Sequence, residues 1–507
     1  MENILDKKSI SHSILSACEV LRGLVDFSSY KEYVLTMLFF KFLSDEWRDL
    51  SDNDKSWNTG REILIKDFSE HKKLILPPSA NFWSLYKTRH QPGNGARIDH
   101  SLDIIQNANH DILQDLFNGV RFDSSILGTE VQRDRILRHL FEAFATDALD
   151  MRPSIIKNRS VIGDAYDVLI GEFATIEGRK GGEFYTPQCI TQLLARLLNP
   201  NKRESICDPA CGAASLLLGC ARGDQSSTSG PHGKLFGQEA NRTAWALAKM
   251  NMLMHDELDH RIDHGNTLQH PTLIDASGKL MCFDVIVSNP PFSSAWACET
   301  AENDPFDRFS RGIPPKAKSD FAFILHMLAT LKPKTGRLGI VVPNGVLFRG
   351  AIEGDIRKQL LEENLLDTVI GLPAKLFINS SIPTTILIFR MGRVERQVLF
   401  IDASREFDSE KTQNKLSKAH ISRIVDVYRA RENMDNFSRC VSLDEIRSNN
   451  YNLSIARYVE PSMDDEEAIF NLPAIRVERA QIASQLQSLE TEIASYIEKI
   501  EGNSLNS

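Results

Sequence analysis

The chain has 507 residues, of which 42% are hydrophobic and 25% are charged. This composition excludes a chain that is disordered along most of its length, and the length predicts about two to four domains. The formal net charge of −9 argues against a protein that grips nucleic acid unaided, because phosphate contacts need Lys and Arg; such a role requires a local basic patch or a partner chain.

Membrane and metal signals are missing from the sequence. No apolar run is long enough to predict a membrane span, and the N-terminus lacks the apolar core of a secretory signal, so we expect a cytoplasmic protein. The eight cysteines are scattered and include no Cys-x-x-Cys pair. We therefore expect reduced, mostly buried thiols, with neither a zinc site nor a disulfide framework.

Residues 1–165 are predicted to form an N-terminal helical domain. One apolar face has helical spacing and comprises Leu35, Leu38, Phe39, Phe42 and Leu43. No catalytic constellation occurs in this part of the sequence, so we interpret it as a packing or docking domain.

Residues 166–395 alternate strand-like apolar runs with helix-like segments. The runs lie at residues 205–207, 235–238, 283–288, 338–342, 368–370 and 384–389, with a further short strand before Gly265. Strands separated by helices predict a mostly parallel sheet with helices on both faces.

Residues 396–507 are mixed and end in a predicted long helix. Pro473 suits its first turn. Apolar residues recur at seven-residue spacing in an a/d pattern, which comprises Ile475, Ile482, Leu486, Leu489, Ile493, Tyr496 and Ile500.

The first chemical motif is Asp208-Pro-Ala-Cys-Gly-Ala-Ala-Ser215, between a strand that ends at Cys207 and a helix. Ligands bind beyond the carboxyl ends of such strands, and a run of small residues lets a ligand approach the backbone: Gly212, Ala213, Ala214 and Ser215. Asp208 can bind a cationic amine. The absence of G-x-G-x-x-G disfavours a pyrophosphate cofactor. A purely structural turn is the alternative.

Glu239 ends the second predicted strand. A carboxylate at this position can accept hydrogen bonds from both hydroxyls of a ribose. The alternative is an ordinary acid that caps the following helix.

The strongest signal is Asn289-Pro-Pro-Phe292, which follows the apolar strand Val285-Ile-Val-Ser288. The two prolines fix φ and remove two backbone donors, so the loop presents acceptors. An aromatic amine is a poor nucleophile because its lone pair is delocalised. The Asn289 side-chain oxygen and a carbonyl near Pro290 can accept its two N–H groups and stabilise the developing charge, while Phe292 can stack on an extruded base.

A segment with two aromatic residues, Gly181-Gly-Glu-Phe-Tyr-Thr-Pro187, precedes the first strand. It can cover a bound cofactor. Alternatively, Thr186 is only an N-cap, with Pro187 at the first helical position.

These motifs resemble the amino-group DNA methyltransferases in which the cofactor lid precedes the glycine loop and the Asn-Pro-Pro-Phe loop follows it, and most closely the modification subunits of type I restriction-modification systems. The resemblance covers nearly the whole chain and includes Leu38-Phe-Phe-Lys-Phe-Leu-Ser44, Asp320-Phe-Ala-Phe-Ile-Leu-His326 and Val341-Val-Pro-Asn-Gly-Val-Leu-Phe348. It implies a seven-stranded, Rossmann-like α/β core that depends on S-adenosylmethionine, with the N-terminal helical domain and the C-terminal long helix.

The resemblance also implies roles for particular residues. It assigns catalysis to Asn289, Pro290, Pro291 and Phe292, and it places Asn266 near the cofactor adenine. The other cofactor positions that it implies are Glu183, Phe184, Tyr185, Thr186, Pro187, Gln188, Ala213, Ala214, Ser215 and Glu239, beside Asp208 and Gly212 from the glycine motif.

The implied reaction transfers a methyl group to the N6 amine of adenine in double-stranded DNA, protects host DNA and needs no metal. The implied assembly pairs two modification subunits with one specificity subunit, which reads the sequence, and a restriction subunit can join. Recognition by a partner accounts for the acidic net charge, and we expect the C-terminal helix to dock on that partner.

Four alternatives compete with this interpretation. Cytosine-C5 methylation needs a cysteine nucleophile, typically after proline, and the chain contains no Pro-Cys dipeptide. Cytosine-N4 methylation uses the same amine chemistry and stays open on chemical grounds, and related loops act on protein glutamine or RNA in usually shorter enzymes. A non-enzymatic scaffold that binds the cofactor is the remaining alternative.

Overall fold

The structure is a computed structural model that describes residues 27–53, 63–67, 73–156, 160–177, 185–223, 233–257, 259–299, 301–378, 381–410 and 413–460, with residues 10, 13, 14, 479 and 486. Residues Met1–Val459 form one compact unit, and Glu460–Ser507 form a second. Within the described ranges, no helix is long and apolar enough to cross a membrane.

The N-terminal region is mainly helical, as predicted. Its helices are α1 (Phe27–Asn53), α2 (Phe82–Lys87), α3 (Asn94–Ala108), α4 (His110–Leu113), α5 (Glu130–Phe144) and α6 (Ser160–Glu177), and a hairpin of β1 (Ile63–Asp67) and β2 (Lys73–Leu76) interrupts them. The predicted apolar face of α1 is buried throughout, from Leu35 to Leu43. The boundary predicted at residue 165 falls inside α6.

A buried ion pair fixes α1 in this region. Lys41 pairs with Asp45, and both side chains are fully buried. Asp45 also accepts hydrogen bonds from Trp83 Nε1 at 2.8 Å and from the Met151 N–H at 2.9 Å. A buried carboxylate with this many partners ties three segments of the chain together.

The central sheet has nine strands among the described residues: β3 (Ile206–Asp208), β4 (Leu235–Glu239), β5 (His260–His264), β6 (Val285–Ser288), β7 (Arg337–Pro343), β8 (Leu366–Gly371), β9 (Thr384–Arg390), β10 (Val398–Asp402) and β13 (Ser438–Val441). Their order is β13-β10-β8-β9-β7-β6-β3-β4-β5. Neighbours pair in parallel, except that β9 is antiparallel to β7 and β8, and β13 to β10. A separate small pair joins β11 (Asp408–Ser409) to β12 (Asn414–Lys415).

The predicted α/β class is confirmed, but the sheet exceeds the seven strands that we expected. Seven consecutive strands, from β5 to β8 in sheet order, form a mostly parallel core with one antiparallel strand. The sheet then continues through β10 and β13, past the domain end predicted at residue 395. Four of the five residues of β10 are buried, as expected for a strand covered on both faces.

Helices cover both faces of the sheet. They are α7 (Gln188–Leu198), α8 (Ser215–Arg222), α9 (Arg242–Met254), α10 (Asp320–Ala329), α11 (Ala351–Glu362), α12 (Lys418–Ala430) and α13 (Leu443–Ser448). One apolar core includes buried residues of α7, α8 and α12, and another includes those of α10, α11 and α13. The N-terminal core extends onto α6 and onto Leu247, Met250 and Leu253 of α9.

The predicted C-terminal helix lies outside the described residues except at two positions. Arg479 and Leu486 are both helical, and the Leu486 side chain is exposed. Of the eight cysteines, Cys18 is also outside. The seven described cysteines are free, and the described part of the chain contains no group of residues that could hold a metal ion.

Candidate active site

The loops that follow β3, β4, β5 and β6 meet at one edge of the sheet, because these strands are parallel neighbours. A cavity of about 570 Å³ lies there. Its lining includes residues from each of these loops: Ala210, Glu239, Asn266 and Pro291. Residues from four separate loops therefore border one cavity, although they are up to about 80 residues apart in the chain.

The glycine motif makes a tight turn that bonds directly to Glu239. Gly212 has a φ of 53° and Ala214 a φ of 65°, and left-handed backbone at alanine costs about 1 to 3 kcal/mol. The Gly212 N–H donates to Glu239 Oε2 at 2.8 Å. Glu239 Oε1 accepts the Asn241 N–H at 2.7 Å. Glu239 thus joins the glycine turn to the start of α9, while it also lines the cavity.

Burial sets the protonation chemistry of the two carboxylates. Desolvation raises the pKa of Glu239 above its ordinary value and raises the pKa of Asp208 to about 7. Asp208 is only 1% exposed. Its Oδ1 accepts Ser288 Oγ at 2.8 Å and the Ala210 N–H at 3.0 Å. Asp208 therefore links the glycine turn to the residue before Asn289, and its predicted contact with a ligand amine stays a prediction.

Asn289 presents a buried acceptor that has no partner among the described residues. Its Nδ2 donates to Thr186 Oγ1 at 3.1 Å, which fixes the orientation of the amide. Its Oδ1 is buried and lacks a hydrogen-bond partner among the described residues. Such an atom costs about 1–3 kcal/mol, so it indicates a site for a donor that arrives from outside the chain.

The three residues that follow Asn289 have different surroundings. Pro291 lines the cavity, and Pro290 is buried. The Phe292 ring packs edge-on against Phe377, with ring centroids 5.3 Å apart and an interplanar angle of 83°. Phe292 remains half-buried, so part of its surface is available to another ring.

The predicted cofactor lid is only partly described. Glu183 and Phe184 lie outside the described residues, whereas Tyr185, Thr186, Pro187 and Gln188 are described. Burial raises the pKa of Tyr185 to about 12. The Thr186 hydroxyl accepts from Asn289 rather than capping α7, whose first residue is Gln188.

A second cavity, of about 530 Å³, lies beside these lid residues. Tyr185, Thr186, Gln188 and Ser215 all contribute to its lining. Ser215 is the residue at which α8 begins, directly after the glycine turn. Residues of the lid and of the glycine motif therefore border one cavity, and Glu239 is not part of its lining.

Three polar residues that the sequence analysis missed hold the glycine turn from behind. Asn251 Nδ2 donates to the Ala213 carbonyl at 2.9 Å and to Asp167 at 3.0 Å. Asp167 also accepts from Ser215 Oγ at 3.1 Å, and His255 Nε2 lies 3.1 Å from it. Burial acts to raise the pKa of Asp167, but its partners, His255 foremost, hold the pKa below its ordinary value. The sequence signal for these residues is that each is a polar residue among the apolar residues of a helix or helix end.

Asn266 lies in the loop after β5, where its Oδ1 accepts the Leu268 N–H at 3.0 Å. Arg308, also missed from the sequence, clamps this loop. Its guanidinium donates to the carbonyls of Thr267 and Leu268 at 2.9 and 3.0 Å and pairs with Asp304 at 2.7 Å. The loop that carries Asn266 is thus fixed by a buried, charge-assisted contact.

Helix α1 supplies part of the cavity wall. Lys31 and Glu32 line the cavity together with Glu239. Lys31 bonds to Glu177 of α6 at 2.5 Å, and Glu32 accepts from Thr243 of α9 at 3.0 Å. The N-terminal region was predicted to be a packing or docking domain, and the structure shows that it also borders the candidate site.

Comparison with known proteins gives matches along nearly the whole chain. The family model described as N-6 DNA Methylase matches residues 157–467, and the one described as HsdM N-terminal domain matches residues 10–144. The chain is similar to the type I restriction enzyme MpnII methylase subunit of Mycoplasma pneumoniae, with 31% identity over 97% of this chain and 96% of that protein. It is also similar to the MjaVII methylase subunit of Methanocaldococcus jannaschii, with 29% identity over 97% of this chain and 85% of that protein.

A solved structure shares this architecture. It is the methyltransferase subunit of a type I restriction-modification system from Streptococcus thermophilus, with 32% identity and a TM-score of 0.78. The match covers 90% of this chain and 100% of that one.

Proposed function

This chain belongs to the N-6 DNA methylase family, as a methylase subunit of the type I restriction-modification class, and on that premise we propose that its 289–292 loop carries out the methyl transfer. The chain is an adenine-specific DNA methyltransferase, and we infer that S-adenosylmethionine is the donor and double-stranded DNA the acceptor. The observation that carries this proposal is the buried Asn289 Oδ1 with no partner among the described residues.

The residues around the cavity fit S-adenosylmethionine. A volume of about 570 Å³ lies in the usual range for small-molecule sites, about 300–1,000 Å³. Glu239 would accept hydrogen bonds from the ribose hydroxyls, Asn266 would border the adenine, and Asp208 would bind the cationic amine of the methionine part. The further contacts in this proposal are Glu183, Phe184, Tyr185, Thr186, Pro187, Gln188, Gly212, Ala213, Ala214 and Ser215.

The chain's own groups prepare the adenine amine. When bound, S-adenosylmethionine supplies an electrophilic methyl group. Asn289 Oδ1 and the Pro290 carbonyl accept hydrogen bonds from the two N6–H groups of adenine. These hydrogen bonds draw the nitrogen towards tetrahedral geometry and free its lone pair. The lone pair would form the N–C bond as the C–S bond breaks with its electron pair on sulfur, and the methylated amine would then release one proton to water. Fixed acceptors cost little reorganisation during this step.

The target base must leave the duplex to reach this loop, at a cost of a few kcal/mol. The exposed part of Phe292 provides a stacking surface for the extruded base, and Pro291 borders both the loop and the cavity. Positioning of this kind contributes about 7–11 kcal/mol to the barrier reduction in well-oriented reactions.

A labelling experiment tests the proposal. The chain, co-purified with its specificity subunit, is incubated with labelled S-adenosylmethionine and mixed-sequence DNA, and the DNA is digested to nucleosides. We expect label in N6-methyladenosine and its loss in Asn289→Ala. Label in N4-methylcytosine would retain the loop chemistry and change the base, whereas cofactor binding without any label would indicate a scaffold.

Partner binding forms the second part of the proposal. With a net charge of −9, the chain gains DNA affinity most readily from a specificity subunit, and two copies of this chain would serve one such subunit. We propose that the helix predicted from Pro473 docks there, and that a restriction subunit can join the assembly. Co-purification tests the docking: a chain truncated before Pro473 that still assembles normally would contradict it.

A further inference from the structure

The exit of the 289–292 loop has an unusual backbone conformation. Ser293 follows Phe292 directly and has a φ of 47°, a left-handed conformation that non-glycine residues adopt only when their surroundings enforce it. The loop contains two prolines, which lack N–H donors. It therefore has few backbone hydrogen bonds of its own, and contacts at its two ends must fix it.

The entry of the loop is fixed by β6 and by the bond from Ser288 to Asp208. The exit is fixed by Asp320, the first residue of α10. Asp320 Oδ1 accepts the Ser293 N–H at 2.8 Å, and Oδ2 accepts Ser293 Oγ at 3.3 Å. One carboxylate thus bonds both the backbone and the side chain of the left-handed residue.

Asp320 is itself rigidly held. It is 3% exposed, and its charge lies at the N-terminus of α10, where the helix dipole favours an anion. Arg349 Nη2 donates to Asp320 Oδ2 at 2.6 Å. Arg349 also forms two bonds to Glu353, at 2.6 and 2.8 Å. Because two carboxylates share one guanidinium, the position of Asp320 depends on α11 as well as on α10.

A second contact supports the same turn. Ser294 Oγ lies 2.7 Å from Ser319 Oγ, and the Ser319 N–H donates to the Ser294 carbonyl at 2.9 Å. The residue just before α10 therefore lies beside a residue just after the loop. Neither Asp320 nor Arg349 lines either of the two cavities described above, so any effect of theirs on the reaction must pass through the loop.

We propose that Asp320, held by Arg349, is a positioning residue that aims the 289–292 loop at the target amine. This inference rests on the proposed function of the loop and adds the element that sets its geometry. A displacement of about 1 Å in a reacting group can cost about 100-fold in rate. Loss of the anchor should therefore lower the rate of methyl transfer without removing any group that touches substrate.

Two substitutions separate the two bonds of Asp320. Asp320→Ala removes both the acceptor for Ser293 and the partner of Arg349. Asp320→Asn keeps an oxygen for the Ser293 N–H but removes the charge that Arg349 binds. We expect kcat to fall by about 10- to 100-fold in Asp320→Ala and by less in Asp320→Asn, with the dissociation constant for the cofactor analogue sinefungin unchanged in both.

The chain offers a matched control in another strand of the sheet. Asp367, in β8, is a buried carboxylate that bonds two arginines, Arg393 at 3.2 Å and Arg431 at 3.0 Å. It lies near the amino end of its strand, away from the catalytic loops. Asp367→Asn removes a similar buried charge and should leave kcat at the wild-type value.

Two measurements on the full chain with its specificity subunit decide the proposal. The first is kcat, KM and sinefungin binding for the variants; wild-type kcat in Asp320→Ala, or an equal loss in Asp367→Asn, would overturn it. The second is amide hydrogen exchange over residues 289–294, which we expect to accelerate in Asp320→Ala and not in Asp367→Asn. Unchanged exchange in Asp320→Ala would overturn the positioning role of Asp320. The absence of methyl transfer by the wild type would instead refute the proposed function, and the exchange measurement would still test the role of Asp320.

Discussion

Replacement of Asn289 with alanine should separate activity from stability. In the wild type, Oδ1 is buried without a partner among the described residues, while Nδ2 forms one bond to Thr186. Removing an unsatisfied acceptor returns about 1–3 kcal/mol, and losing one hydrogen bond costs about 1 kcal/mol. We therefore expect the free energy of unfolding to stay the same or to rise by up to about 2 kcal/mol.

The same substitution should greatly reduce methyl transfer. Removal of one preorganised acceptor from a buried site costs about 10²- to 10³-fold in kcat, or about 2.7–4 kcal/mol. Single-turnover transfer at saturating cofactor and DNA measures this loss, and urea unfolding measures stability. Asn289→Ala would thus be nearly inactive and at least as stable as the wild type.

Asn109 provides the matched control. It is a buried asparagine whose amide is fully bonded: Nδ2 donates to the carbonyls of Ile75 and Ile105, and Oδ1 accepts the Ile75 N–H. Asn109→Ala should lower the free energy of unfolding by about 2–3 kcal/mol, since three hydrogen bonds are lost. The reasoning is wrong if both alanine variants lose the same stability, or if Asn289→Ala transfers methyl groups at the wild-type rate.

Three further predictions concern the surroundings of the loop. Glu239→Gln should weaken cofactor binding by about 10-fold or more in calorimetry, because it removes the charge that strengthens hydrogen bonds at that position. The pKa of Asp208 is raised from 3.8 to about 7, so its contribution to stability is full below about pH 4 and is lost as the pH rises towards 7; urea unfolding of Asp208→Asn should lack this decline. A Cβ at Gly219 would lie 2.0 Å from Thr191 Cγ2, whereas one at Gly119 would meet nothing within 4 Å, so Gly219→Ala should cost about 1–3 kcal/mol in unfolding free energy and Gly119→Ala almost none.

Local sequence order predicted the parts of the site that depend on strand ends. Asp208, Glu239 and Asn289 each follow an apolar run, and the parallel arrangement brings them to one edge of the sheet. Asn266 reached the same cavity for the same reason. Such predictions succeed because a single rule about parallel sheets converts sequence position into spatial position.

The supporting residues could not be predicted in this way. Asp320 bonds a residue 27 positions earlier in the chain, and Asn251 bonds one 38 positions earlier. Their roles depend on how helices pack over the sheet, and the sequence pattern records only that these helices have buried faces. Strand β10 lies beyond the domain end predicted at residue 395, and its place in the sheet depends on its pairing with β8 and β13, which local sequence does not specify.

The contribution of α1 to the cavity wall bears on whether the two halves of this protein are modular. Lys31 and Glu32 border the same cavity as Glu239, and the apolar core runs from α1 onto Met250. We therefore expect both halves of the chain to determine the affinity for the cofactor. A chimaera that takes residues 1–156 from a relative should bind sinefungin with an altered dissociation constant, although every predicted cofactor residue is retained. Because coupling between two sites is reciprocal, a ligand whose affinity depends on α1 should in turn slow hydrogen exchange in α1. Recombination between such subunits is then constrained at this boundary, because exchanging the N-terminal half also exchanges part of the cavity wall.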